Sequence, residues 1–294
     1  MPEWIKIAAL VLKISIITQV FAVGLSSNWR DATFLFRHPR LLWNSILARN
    51  IIVPAIALVL IQVFSLHPAV MVAFCVLAVT PVPPLVPKGQ LQAGGPSEYI
   101  LGLLVSQAVL AIVLVPLTIE VIDRIMGAHA HFGSARVAML VFQTILLPLA
   151  AAVVLARKSP AIRSSAGHIL KAGTVLLIAG GLPLLFLPWK TFGVIAGNGT
   201  LLAMAIFVTA ATAVGHLLGG PSASDRTVLA EATSSRHPGM AVTIAVQNFP
   251  QHGALVAGAI VTYLVIRIAL SMTYARMRPE LRPTHSYPKS MIGP

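Results

Sequence analysis

Charge is what this sequence has least of. Only 10% of its 294 residues are Asp, Glu, Lys or Arg, against roughly 25% in an ordinary soluble domain. Acidic residues are scarcer still, 8 in the whole chain. So little polar surface cannot cover a soluble core of this size, which excludes an ordinary soluble enzyme. A disordered chain is excluded as well, because its apolar content would be low. There is one cysteine, Cys75, so an internal disulfide and a Cys-rich metal site are both excluded. Within its apolar run that thiol reads as buried and inert. The chain also lacks H-E-x-x-H and a Gly-rich phosphate loop, Gly94-Gly95-Pro96 having the wrong spacing. Ser234, Ser235 and His237 are close in sequence, but proximity alone does not make a nucleophile and its base. No enzyme activity, metal or cofactor is expected.

What the chain does have is apolar length. Hydrophobic residues make up 57% of it and the mean hydropathy is +0.87, as in an integral membrane protein with several spans. Lys and Arg number 21 against the 8 acids, a net charge of +13. A pI near 10.9 can indicate nucleic-acid binding. Here, though, the basic residues sit in short loops between apolar runs, as a positive-inside bias requires. The expected partners are the lipid bilayer and a small molecule, not nucleic acid.

Hydropathy predicts an all-α polytopic protein of about nine transmembrane helices. The continuous spans fall near 4–25, 44–65, 97–122, 134–156, 167–188, 193–218 and 252–275, and two interrupted ones near 67–95 and 222–250. The first run carries Lys6 and Lys13, is longer than a usual signal core and has no cleavage site after it, so it reads as a span. Residues 1–278 form one transmembrane domain. Residues 279–294 form a basic, proline-containing tail that is expected to be disordered and cytoplasmic.

Three basic segments set the orientation. They hold Arg30, Arg37 and Arg40; Arg157, Lys158, Arg163 and Lys171; and Arg276, Arg278, Arg282 and Lys289. With an odd span count all three lie on one side, which places the N-terminus outside and the C-terminus in the cytoplasm of a cell (inner) membrane.

The two interruptions carry the functional signal. Pro81, Pro83, Pro84 and Pro87 cannot all sit in a continuous helix, since each removes a donor and disfavours helix at the residue before it. Backbone freed at membrane depth must be satisfied by protein or by a water-filled cavity. The stretch is therefore either an unwound crossover or a plain loop between two spans. The length of 67–80, too short for a span by itself, favours the crossover. The second interruption runs Thr233-Ser234-Ser235-Arg236-His237-Pro238-Gly239. Paired interrupted segments in corresponding halves point to a transporter's site, with helix ends directing dipoles and amides at an anion.

Several stretches together resemble the bile acid:sodium symporter family, within the wider group of arsenite- and auxin-type carriers. They are Leu35-Phe36-Arg37-His38-Pro39-Arg40, Pro54, Thr80-Pro81, Asp225-Arg226-Thr227-Val228 and Gly239-Met240-Ala241-Val242. The resemblance covers nearly the whole chain, from Lys13 to Ala275. It implies a panel domain and a core domain, with an inverted-repeat core whose two broken helices cross. Family members usually have ten spans, so nine implies that the first is missing here.

The departures from the family pattern concern sodium. Where the family's first crossover reads Pro-Gly-Gly-Thr-x-Ser-Asn, this chain has Val86-Pro87 in place of Ser-Asn. Two downstream hydroxyl positions are Ile100 and Leu104. In the second crossover the family's Glu-x-Gly-x-Gln-Asn aligns its glutamate with Ala232, its glutamine with Arg236 and its asparagine with His237. A glutamine from the second span aligns with Arg49. A one-residue shift would return Glu231 to the glutamate position, and that register stays open. Arginine cannot accept a hydrogen bond and repels a cation.

The reading is therefore a secondary transporter of a small or amphipathic organic anion. It works by alternating access and without sodium, fixed cationic side chains standing in place of the ion. Arg49, Lys88, Arg236 and His237 form the positive part of the site. Thr233, Ser234 and Ser235 either offer hydroxyls to substrate or cap the broken helix. Pro81, Pro83, Pro84, Pro87, Pro238 and Gly239 shape the crossover backbone. Glu98, Glu231 and His237 are candidates for ion or proton coupling. The alternatives are a conventional sodium-coupled symporter and a non-transporting membrane receptor on the same fold.

Overall fold

The computed structural model describes residues 3–27, 30, 33–83, 90, 96–126, 134–187, 189–249 and 251–277. Among them the regular elements are helices only. The principal ones are α1 Glu3–Ser26, α2 Pro39–Val63, α3 Pro68–Val79, α4 Ser97–Met126, α5 Ala135–Lys158, α6 Ala166–Leu185, α7 Thr200–Leu218, α8 Ala223–Ser234, α9 Pro238–Asn248 and α10 Gly253–Arg276. Seven of these, all but α3, α8 and α9, are long and apolar enough to cross a membrane. The chain is thus an all-α, polytopic membrane protein. At 1.5 Å per residue, 20 residues reach roughly 30 Å, the thickness of a hydrocarbon core. With 12, 12 and 11 residues, α3, α8 and α9 each cover only about half of it.

The helices form two groups. In one, α1 packs along α5 and α6. Ser15 of α1 donates to the Gly173 carbonyl of α6 at 2.8 Å, and Gln19 donates to the same carbonyl at 3.1 Å. Such polar clamps matter in a membrane, because lipid tails compete on equal terms for apolar faces. In the other group α2, α3, α7 and α10 pack together, α7 lies against α8, and α9 contacts both α3 and α10. The groups meet where α1 packs on α9 and α6 on α10. Outward-facing residues are apolar too: Ile7, Val63 and Leu217 are 60%, 71% and 79% exposed, as lipid-facing side chains should be.

Two boundaries differ from the hydropathy reading. The span expected over 193–218 begins at Thr200. A short helix, Trp189–Ala196, precedes it, and Asn198 (φ 53°) and Gly199 (φ 77°) turn the chain between the two. Left-handed backbone is tolerated best by Gly and Asn, and it ends the run although the flanking residues are apolar. The span expected from residue 44 begins earlier, at Pro39, where proline fits the first helical turn. Within it, Leu47–Ile52 is wound as π-helix, and Phe142–Leu146 does the same inside α5. A π segment inserts one residue and marks functional sites often enough to be informative. The segment in α2 contains Arg49. Pro84, Pro87, Lys88 and the tail 279–294 lie outside the described residues.

Candidate functional site

Both interruptions follow from local chemistry. Helix α3 stops at Thr80, whose backbone is extended (φ −70°, ψ 141°) and precedes Pro81. Helix α8 stops at Ser235, whose N–H closes the last turn on the Glu231 carbonyl at 3.0 Å. Helix α9 starts with Pro238 at its first position, and the His237 Nδ1 accepts from the Met240 N–H at 3.3 Å. The cap of the broken helix is therefore His237, not the neighbouring hydroxyls. The Ser234 hydroxyl is turned back onto its own helix, bonding the Ala230 carbonyl at 3.0 Å.

Arg236 joins the two breaks. It is buried. Its Nη1 donates to the carbonyls of Ala78 at 3.2 Å and Thr80 at 3.3 Å, and its Nη2 donates to the Arg49 carbonyl at 3.2 Å. The first two oxygens belong to the C-terminal end of α3, where the helix leaves carbonyls unpaired and its dipole is negative. The Arg236 N–H donates to the Tyr263 hydroxyl at 3.1 Å, and that hydroxyl donates to the Ser234 carbonyl at 2.5 Å. One residue thus ties together α2, α3, α10 and the end of α8.

Beside this cluster lies a cavity of about 700 Å³, bounded by α1, α6, α9, α10 and the end of α8. Its walls are largely leucine, isoleucine and valine. Its polar side chains are Glu231, Arg236, Arg267 and Ser271, and Pro83, Pro238 and Gly239 shape one side. Arg267 Nη2 donates to the Ser235 hydroxyl, while its buried Nε has no hydrogen-bond partner. Glu231 is half-buried and forms no ion pair among the described residues.

The expected site residues are only partly brought together. Arg236 and Glu231 line the cavity; Arg49 and His237 do not border it. Arg49 is 1% exposed, inside the protein, with Nε and Nη1 unpartnered. His237 borders a second, smaller space of about 20 Å³ with Pro81, Val82 and Leu104, room for about one water. The Thr233 hydroxyl is buried and unpartnered beside the backbone of Gly215. Glu98 is exposed in the first turn of α4, where a helix N-terminus favours a carboxylate, and it joins none of these groups. Arg267 was missed by sequence reasoning. The available signal was a lone arginine within the apolar run Leu264-Val265-Ile266-Arg267-Ile268-Ala269-Leu270, because an ionisable residue inside a span needs a partner or a cavity.

The paired breaks, the cavity between two helix groups and the buried cations have the organisation of a membrane carrier. No curated protein matches the chain. Residues 13–189, more than half of the chain, match the model of the Sodium Bile acid symporter family; that stretch ends before the second break. The chain belongs to this family of multi-pass membrane transporters.

Proposed function

We propose that this protein is a sodium-independent secondary transporter of a small or amphipathic organic anion, moving it by alternating access between the α1–α5–α6 group and the rest. One observation carries the reading: the Arg236 guanidinium donates to three converging backbone carbonyls, those of Ala78, Thr80 and Arg49. Converging carbonyl oxygens are what a hard cation seeks. A guanidinium already bonded to them neutralises the end of α3 without an ion. A sodium ion about 4 Å from that guanidinium would be opposed by roughly 4 kcal/mol at an effective dielectric of 20, about three decades in affinity. In this reading Arg267 and Arg236 give the cavity its attraction for anions, and Arg49 adds positive potential from within. The protein sits in the inner membrane with its N-terminus outside, which the basic loop between α5 and α6 supports.

A sodium-coupled symporter is the second reading, favoured by Glu231, an unpaired carboxylate on the cavity wall. Proteoliposome flux of an organic anion, measured in sodium and in choline, separates the two. Equal flux in both salts, lost in Arg236→Ala, supports the fixed-cation reading. Flux that needs sodium and is lost in Glu231→Gln establishes the other. Saturable anion binding without any flux would make the protein a receptor.

A further inference from the structure

The cavity holds charges of both signs, and each is incompletely engaged. Both Nη atoms of Arg236 are committed to backbone carbonyls, which leaves only its buried Nε without a partner. Arg267 keeps a buried Nε without a partner. Glu231 forms no ion pair among the described residues, although the charge of Arg267 acts on its carboxylate. The two are linked through Ser235. The Arg267 guanidinium rests on the Ser235 hydroxyl, and the Ser235 N–H closes the turn that starts at the Glu231 carbonyl. Beyond them the wall is apolar, formed by Leu177, Leu182, Leu185, Val261 and Leu264. The volume, about 700 Å³, suits a ligand of drug-like size.

We infer that this cavity takes an amphipathic zwitterion, whose anionic group is held by Arg267 and whose ammonium is held by Glu231. The inference rests on the cavity being the substrate site proposed above, and it narrows the substrate within that reading. A simple monoanion meets Arg267 but brings its charge beside an unpaired carboxylate. A simple cation does the reverse. A head group carrying both charges completes both side chains, while its apolar body covers the leucine-rich wall. A site whose charged groups are partly withdrawn from water disfavours analogues lacking the matching group, because its own group is then left poorly solvated and unpaired.

The test uses three molecules of one chain length: 2-aminooctanoate, octanoate and octylamine. Each is titrated against the full chain in phosphatidylglycerol nanodiscs. 2-Aminooctanoate should bind at least about tenfold more tightly than either of the others, as the loss of one charged hydrogen-bonding partner implies. Glu231→Gln, which preserves shape, should abolish the preference over octanoate while octanoate binding persists or tightens. Arg267→Gln should weaken both acids at least about tenfold and spare octylamine. Octanoate binding as tightly as 2-aminooctanoate to the unaltered protein overturns the zwitterion assignment and leaves organic-anion transport standing. Failure of all three ligands to bind overturns the zwitterion assignment, and organic-anion transport is then decided by the flux measurement above. Competition by phosphatidylethanolamine identifies the bilayer as a source of the zwitterion; its absence identifies a free solute.

Discussion

Arg236 and Thr80 lie 156 positions apart and are joined by a 3.3 Å hydrogen bond from the guanidinium Nη1 to the Thr80 carbonyl. The bond ties one broken segment to the other and places a permanent positive charge at the end of α3. A charge so placed has two consequences, one for stability and one for ion dependence. Arg236→Ala should destabilise the protein by about 3 kcal/mol, since three buried carbonyls lose a charged donor. Arg236→Lys should recover part of this, because an ammonium keeps the charge but not the fork that spans three acceptors. Thermal unfolding in nanodiscs measures both. The neutral Arg236→Gln variant should gain a sodium-dependent rise in melting temperature that the parent lacks.

Tyr263 holds the end of α8 from α10. Its hydroxyl accepts from the Arg236 N–H and donates to the Ser234 carbonyl. Tyr263→Phe leaves the ring in place and strands two buried backbone groups. The expected cost is about 2 kcal/mol, read as a lower melting temperature with unchanged helical circular dichroism.

Helices α7 and α8 approach so closely that Gly215 has no room for a side chain. A Cβ there would stand 2.6 Å from the Ala230 Cα and 2.6 Å from the Leu229 carbonyl. Both are backbone atoms that cannot rotate away. Gly215→Ala should therefore cost about 1–3 kcal/mol, the range for overpacking. Gly181→Ala, on the wall of the cavity with nothing within 4 Å of its Cβ, is the control and should be neutral. Ligand binding after each substitution separates packing from site effects.

Cys75 is 2% exposed, within α3. The unaltered protein should not react with a membrane-impermeant maleimide in intact cells or in inverted vesicles. Single cysteines introduced at Ser159 and Asn198 then report orientation. Labelling at Ser159 only from the cytoplasmic side, and at Asn198 only from the opposite side, is the expected pattern. The reverse pattern would overturn the proposed topology.

Fold class, the end of α3 at Thr80 and the interruption between α8 and α9 were legible in the sequence because all three are local properties. Span length follows from the thickness of a hydrocarbon layer. These ends coincide with Pro81 and Pro238, which disfavour helix at Thr80 and His237, although Pro116 and Pro183 lie inside α4 and α6. The π segments were not legible, since Leu47–Ile52 has no proline or glycine to announce it. The site was legible only in part. Arg236 stood out as a cation inside an interruption, and Glu231 as one of very few acids in the chain.

The same sequence left open what these residues touch. Arg49 and Arg236 read alike as buried arginines. The fold bonds the guanidinium of Arg236 to three carbonyls and leaves Nε and Nη1 of Arg49 without partners. Arg267 drew no notice in an ordinary apolar helix until packing set it against Ser235, on the same cavity as Glu231. Hydropathy and proline are read from neighbours along the chain, so they follow from residue order alone. A charged site is a meeting of side chains far apart in sequence, and only tertiary packing, with α8 carried on α7 and α3 set against α2 and α10, brings those side chains together.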